Sequence, residues 1–134
     1  MSLDVLIHGM PDYNICYGHF MLFRKNIVKY VYGDECYRIY NRDMSHKITD
    51  DEIELWNSKC DDDLDIFLMH SDCDGKFTVS ECRKIRDAMK RHSEKIDRLD
   101  SLDPITDKYV KEKYGEWFRM FSYCARHRVI MRFC

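Results

Sequence analysis

The stretch HSDCDGKFTVSEC, residues 70–82, joins an apolar run to a long amphipathic segment and decides how the chain turns between them. Counted from His70 as position 1, oxygen-bearing side chains stand at positions 3, 5, 9 and 12, and these are Asp72, Asp74, Thr78 and Glu81. Gly75 stands at position 6. EF-hand calcium loops place ligands at these positions and a glycine at position 6 for the sharp turn. The stretch therefore predicts either a cation site or a turn into a helix.

The first ligand is the weak point of the cation site. Position 1 holds His70, where an EF-hand normally has a carboxylate, and Ca²⁺ is a hard cation that prefers oxygen to imidazole nitrogen. We expect an affinity for Ca²⁺ no better than about millimolar. The predicted metal ligands, taken together, are His70, Asp72, Asp74, Thr78 and Glu81.

The same stretch carries a helix-start signal. Thr78 followed by Glu81 is a capping box, in which each side chain accepts a hydrogen bond from the backbone N–H of the other residue. Residues 41–52, NRDMSHKITDDE, repeat the pattern more faintly with Thr49 and Glu52, although a histidine stands where a loop would need glycine. Two capped helix starts explain both copies without an ion. We therefore expect the aspartates mainly to bend the backbone.

An enzyme or a zinc metalloprotein is the alternative from another class. Its site would gather His70, Asp72 and Cys73 with His8 or His19. Cys16 and His19 also form a C-x-x-H pair that would complete a four-ligand zinc site with the H-x-x-C pair at 70 and 73. About fifty residues separate the two pairs, which is more than zinc motifs usually allow.

The fold class follows from apolar periodicity. Intervals of three and four predict helices over residues 17–31, 50–60, 80–99 and from 104 onward. Strands are predicted for SLDVLIH at the start and for the run before His70. CYRIY at 36–40 is β-prone but too short to assign, and VIMRF at 129–133 is open between strand and helix. We expect an α+β fold in a single domain spanning residues 1–134, with three to four helices packed on a small sheet.

Composition indicates a compact chain. The 134 residues are 45% hydrophobic and 34% charged, with few prolines and glycines, which excludes a disordered chain. No apolar run reaches the ~18 residues that cross a bilayer, and no signal-peptide pattern opens the sequence. Seven cysteines without a paired motif indicate free thiols rather than a disulfide framework. We expect a cytoplasmic protein that does not bind membranes.

Charge is unevenly distributed along the chain. Residues 43–74 carry eleven acidic side chains against two lysines, whereas the residues from 108 onward carry seven lysines and arginines against two glutamates. Such asymmetry is usually a solvated surface, but it also marks partner or nucleic-acid surfaces. If the basic segment binds nucleic acid, the residues that carry the binding are Arg119, Arg126, Arg128 and Arg132.

Three quoted stretches resemble one family. The opening SLDV, the segment YGHFMLFRKNI and above all LDIFLMHSDCDGKFTVSEC are similar to small bacterial and phage proteins whose signature is a HSDC-x-G turn between an apolar run and a helix. The resemblance extends from residue 3 to about residue 99. It implies no activity, but it marks His70, Ser71, Asp72, Cys73 and Gly75 as signature positions.

These observations together favour a non-enzymatic accessory or interaction protein of bacterial or phage origin, with a protein partner. In this interpretation the acidic turn begins a helix and holds a divalent cation weakly.

Overall fold

In the computed structural model, which describes residues 1–42, 47–100 and 103–134, four short strands form one antiparallel sheet. The strands are β1 (Ser2–Ile7), β2 (Tyr13–Cys16), β3 (Lys76–Phe77) and β4 (Met131–Phe133), in the order β2-β1-β4-β3. The alternating Leu3, Val5 and Ile7 of β1 are buried, as a strand with one covered face requires. The predicted opening strand is confirmed, and residues 131–133 form a strand instead of extending the last helix.

Six helices are present in these described ranges, where the sequence predicted three or four. They are α1 (Tyr17–Tyr32), α2 (Asp34–Tyr40), α3 (Asp50–Lys59), α4 (Leu64–Leu68), α5 (Val79–Asp97) and α6 (Pro104–His127). The α+β class is confirmed, and so are the four longer predicted helices, α1, α3, α5 and α6. The predicted number of helices was too low, because the short segments Asp34–Tyr40 and Leu64–Leu68 also form helices.

The strand prediction for α4 was wrong, and the β-prone segment of α2, which the sequence left unassigned, is also helical for the same physical reason. Buried Cys36 and Ile39 of α2 are three residues apart, and buried Leu64, Phe67 and Leu68 of α4 follow intervals of three and four. These are helical intervals. In segments this short, β-prone side chains do not decide the backbone, because packing against neighbours outweighs intrinsic strand propensity.

The sheet takes its other strands from segments predicted as loops. β2 pairs with β1 along residues 13–16. β3 follows the turn at Gly75 and pairs with β4, where Lys76 lies opposite Arg132 and Phe77 opposite Met131. This pairing joins segments that are far apart in the sequence, so local periodicity does not reveal it.

The buried apolar side chains form one continuous cluster, to which every helix and strand contributes. Its centre is the fully buried Trp117 of α6, whose ring centroid lies 5.2 Å from those of both Phe20 and Phe67. The predicted apolar stripe of α6 is confirmed, since all its members are buried: Val110, Tyr114, Trp117, Phe121 and Cys124. The sheet, α1 and α5 therefore pack against the apolar face of α6, while its other face stays exposed.

Helix termini follow the sequence signals closely. Both predicted capping boxes form, at Thr49 and at Thr78, and α1 ends at Gly33 with φ of 101°. α6 begins after the Asp103 cap and ends at Arg128, whose φ of 55° and ψ of 47° are left-handed. No helix in the described part of the chain combines the length and the apolar character needed to span a bilayer.

Candidate functional site

The His70 loop, residues 70–81, is closed by the side chain of its first residue. The imidazole Nδ1 lies 2.8 Å from the Ser71 carbonyl oxygen, and Nε2 lies 3.1 Å from the Lys76 carbonyl oxygen. One ring face packs on Phe77 with a centroid distance of 4.1 Å. Position 7 of an EF-hand loop directs its carbonyl oxygen at calcium, and Lys76 is that position. The ring of His70 therefore contacts an oxygen that an ion would need.

The other signature positions also have structural roles. Gly75 has φ of 92°, and a Cβ there would lie 3.2 Å from two ring atoms of His70. The hydroxyl oxygen of Ser71 accepts hydrogen bonds from the backbone N–H of Cys73, at 3.3 Å, and of Asp74, at 3.4 Å. Gly75 is thus needed both for the turn and for the ring that lies against it.

A buried arginine holds the entrance to the His70 loop. Arg24 of α1 is only 3% exposed, and its Nη1 donates to three carbonyl oxygens at 3.4, 3.4 and 2.7 Å, those of Phe67, Leu68 and His70. Burial lowers the pKa of Arg24, while the charges of Tyr40 and Asp72 act in the opposite direction. The guanidinium satisfies the C-terminal carbonyls of α4. Its positive charge also opposes a divalent cation bound in the adjoining loop.

Two of the predicted metal ligands take part in helix capping. The Thr78 hydroxyl accepts from the Glu81 N–H at 3.1 Å, and the Glu81 carboxylate accepts from the Thr78 N–H at 2.9 Å. Across residues 1–42, 47–100 and 103–134, no group of three or more His, Cys, Asp and Glu side chains is arranged to hold a metal ion. The fainter copy of the loop includes residues 43–46, which lie outside the described residues. Cation binding by His70, Asp72, Asp74, Thr78 and Glu81 stays a prediction.

The residues of the alternative zinc site have separate surroundings. The Cys16 sulfur accepts from the His19 N–H at 3.4 Å and caps α1, and the His19 ring packs against Tyr109 at 5.7 Å. Cys73 is exposed in the His70 loop. His8 lines a depression beside β4. All seven cysteines are free, and the sulfur atoms of the buried Cys36 and Cys60 lie 3.8 Å apart.

A polar cluster joins α1, α5 and the α3–α4 connection. One carboxylate oxygen of Asp62 accepts from the Tyr32 hydroxyl at 2.5 Å, and the other lies 2.5 Å from His92 Nε2. Burial alone would raise the pKa of Asp62, but the hydrogen bonds from Tyr32 and His92 outweigh it and hold that pKa below its usual value. Burial and the same bond raise the pKa of Tyr32. The cluster therefore fixes one particular carboxylate in its charged form.

An open groove of about 520 Å³ lies between α2, α3 and α4. Its apolar lining consists of Ile39, Tyr40, Ile48, Ile53, Trp56 and Met69, and its polar lining of Arg42, Glu52, Asn57 and Asp65. Six large apolar side chains are exposed in the described residues, and three of them, Ile48, Ile53 and Met69, line this groove. Exposed apolar side chains gathered in one place are typical of a binding surface.

Aromatic and charged contacts hold the groove walls together. Trp56 is the buried residue of α3, and its ring stacks on Tyr40 with a centroid distance of 5.8 Å and an interplanar angle of 12°. Its Nε1 donates to Asp65 at 3.4 Å, and burial raises the pKa of that carboxylate. Arg42 forms an ion pair with Glu52, whose pKa is lowered by the backbone bond from the cap and by the arginine. The helix α3 is thus attached chiefly through one tryptophan.

Acidic side chains outnumber basic ones in and beside this groove. Besides its lining carboxylates, exposed acidic side chains project from α3 and from the connection to α4, namely Asp50, Asp51, Glu54 and Asp61. We call the site the acidic groove. Sequence reasoning missed the groove because Ile48 and Ile53, placed on either side of the Thr49 cap, have the spacing of an ordinary hydrophobic staple. Both remain about half exposed. The available signal was the acidic run itself, which encloses two isoleucines and a tryptophan.

The four arginines singled out in the sequence are exposed and line two depressions. Arg119 and Arg126 line one on α6, and Arg128 and Arg132 line another beside β1 and β4. None of their guanidinium groups is in an ion pair within the described ranges. The sequence singled out these four arginines from charge alone. The structure places them in two pairs, one in each depression.

Comparisons with known proteins identify no relative. No protein-family model matches the chain, and no curated protein and no solved structure is significantly similar to it. The resemblance to proteins with a HSDC-x-G turn stays a prediction.

Proposed function

We propose that the protein is a non-enzymatic interaction protein whose acidic groove binds a basic, amphipathic segment of a partner protein. The observation that carries this proposal is the gathering of Ile48, Ile53 and Met69, which are 48%, 46% and 64% exposed, along one groove. Helices with an apolar stripe commonly bind such grooves through side chains at intervals of three and four. The open form supports a peptide rather than a small ligand, because small-molecule sites usually enclose most of their ligand.

Charge supports the choice of a basic partner. Glu52 and Asp65 line the groove, and further exposed carboxylates lie on α3 and before α4. Lysines or arginines beside the apolar stripe of a partner would lie against these carboxylates. Such pairs increase the association rate and the specificity more than the affinity, and salt screens them.

Peptide titration tests the proposal directly. The probe is a short helical peptide made only of leucine and lysine, with leucines in one stripe. Trp56 lines the groove while Trp117 is fully buried, so binding should change tryptophan fluorescence, and Trp56→Phe should remove most of the change. The same peptide with glutamate in place of lysine should bind much more weakly. Equal binding of both peptides would contradict the charge argument.

Matched surface variants locate the binding site. Ile53→Ser with Met69→Ser should weaken peptide binding at least about tenfold, since each side chain loses on the order of 1 kcal/mol of apolar burial. The control, Leu22→Ser with Ile105→Ser, removes two other exposed apolar side chains, which are 44% and 83% exposed. It should leave the affinity unchanged. Similar losses in both double variants would rule out the groove.

A weak cation site at the His70 loop remains part of the proposal. Isothermal calorimetry should show no Ca²⁺ binding below about 1 mM, because the His70 ring and the Arg24 charge both oppose the ion. The variant His70→Asp restores the carboxylate of position 1 and should bind Ca²⁺ more tightly than the natural loop. Silence of both proteins at higher concentrations would remove the cation from the proposal without affecting the groove.

A further inference from the structure

We propose that the arginine surface, defined as Arg119, Arg126, Arg128 and Arg132, binds single-stranded nucleic acid. All four side chains are exposed, and none of their guanidinium groups forms an ion pair or a hydrogen bond with another residue that the structure describes. This surface shares no lining residue with the acidic groove. The proposal therefore concerns a second partner and does not depend on the first.

The arginines line two adjoining depressions. Arg119 and Arg126 line a depression of about 240 Å³ on α6, and Arg128 and Arg132 line a depression of about 670 Å³ beside β1 and β4. His127 borders the first and its chain neighbour Arg128 borders the second. A flexible, linear polyanion can therefore run from one to the other.

Aromatic rings accompany the charges. The rings of Tyr123 and His127 lie 4.2 Å apart with an angle of 34° between their planes, and Phe118 lines the same depression. Tyr123 also reaches the β1–β2 turn, since a Cβ at Gly9 would lie 2.2 Å from its hydroxyl oxygen. The hydroxyl of Ser122, which lines this depression, is buried and has no hydrogen-bond partner among the described residues. Polar, cationic and aromatic groups thus occur together.

This chemistry favours single-stranded nucleic acid over other polyanions. The lining of the two depressions contains four arginines, no lysine and one acidic residue, Asp12. The planar guanidinium binds phosphate through two parallel hydrogen bonds, which a lysine ammonium does not do. Aromatic rings next to such groups stack on bases, and a single strand exposes its base faces while a duplex hides them. An acidic peptide would use the charges but not the rings.

The backbone at Arg128 gives an independent reason. This residue terminates α6 with φ of 55°, the only positive φ among the non-glycine residues that the structure describes. Glycine is the usual residue in this conformation, because a Cβ disfavours it. Non-glycine residues in such conformations are concentrated at functional sites. Arg128→Gly therefore removes a charge from the surface while providing the residue that the backbone favours.

Fluorescence anisotropy with a fluorescein-labelled oligothymidylate tests the proposal. Binding should weaken steeply with salt, with log Kobs falling against log salt at a slope of about −3, since each of four phosphate contacts on a single strand contributes about −0.7. No binding at low salt would overturn the proposal. Tighter binding of polyglutamate than of the oligonucleotide would also overturn it, because the surface would then fit an acidic protein.

Two double variants with equal charge loss locate the contacts. Arg126→Gln with Arg128→Gly should reduce affinity at least about tenfold and make the salt slope shallower by about 1.4. The control, Arg83→Gln with Arg91→Gln, removes two exposed arginines of α5 and should leave the slope unchanged. Thermal unfolding verifies that both variants are folded. Equal losses in the two variants would show that net charge alone drives binding and would overturn the assignment to the arginine surface.

Discussion

The acidic groove with its neighbouring connection and the arginine surface use their charges in opposite ways. Near the groove, carboxylates are bonded inside the protein: Glu52 to Arg42, Asp65 to Trp56, and Asp62 to both Tyr32 and His92. At the arginine surface, the guanidinium groups form no ion pair in the part of the chain that the structure describes. Negative charges are therefore partly structural, and positive ones are left to solvent or to a partner.

This difference shows that the distribution of charge along the sequence does not reveal which charged side chains are bonded within the protein and which are exposed to solvent. Partly buried carboxylates with several hydrogen bonds contribute to folding, whereas exposed charges contribute little. Substitutions should consequently affect stability near the acidic groove and leave stability nearly unchanged at the arginine surface.

Arg24→Leu should lower the free energy of unfolding by about 3 kcal/mol, because carbonyl oxygens at the end of α4 and the start of the His70 loop lose a charged donor. This buried guanidinium holds the end of α4, a helix that borders the acidic groove. Urea denaturation measures the loss. The exposed Arg91→Leu is the control and should change stability by less than about 0.5 kcal/mol. Equal effects of the two substitutions would show that burial of the guanidinium is unimportant.

Asp62→Asn should cost about 2 kcal/mol near neutral pH, because the charged acceptor of two hydrogen bonds is lost. The folded protein lowers the pKa of Asp62 below the unfolded value of about 3.9. The carboxylate therefore stabilises the fold fully above about pH 4, and this contribution disappears as pH falls through the folded pKa. The difference between the two proteins should shrink on acidification. Urea denaturation across pH checks this, and a difference that stays constant would contradict it.

Gly75→Ala should cost about 1–2 kcal/mol, because alanine disfavours a φ of 92° and its Cβ would crowd the His70 ring. The crowding part should disappear when His70→Ala is combined with it. A double-mutant cycle measured by thermal unfolding separates the two causes. Strict additivity would show that the ring does not need the space at Gly75.

Arg126→Gln should change the free energy of unfolding by less than about 0.5 kcal/mol, since this exposed guanidinium has no ion pair among the residues described. Chemical denaturation at low and high salt is the measurement. A loss above about 1 kcal/mol at low salt would mean that the arginine surface is structural after all, and the comparison would fail.

Long, periodic elements of the fold were predictable from sequence. The stripe of Trp117 and its neighbours predicted α6, and Thr49 and Thr78 predicted two helix starts, because caps and periodicity act over a few residues. The short elements were not predictable. α4 and β3 depend on contacts with α1 and β4, and the sequence pattern of so few residues does not specify those contacts.

The candidate sites were predictable only in part. Charge alone identified the four arginines, but their arrangement as two adjoining pairs depends on the sharp end of α6 at Arg128. The acidic groove was not identified, because exposure of Ile53 and Met69 depends on which neighbours fail to cover them. The spacing of apolar residues indicates which face of a helix is apolar, but it does not indicate whether another element packs on that face.

Sequence by itself determined the α+β class, the capped helix starts and the uneven charge, since these follow from local backbone preferences and composition. Only the tertiary structure decided that His70 closes its own loop, that Arg24 supports it, and that one apolar groove remains open beside carboxylates. The physical reason is distance along the chain. Hydrogen bonds and packing between residues far apart in sequence arise only when the whole core forms.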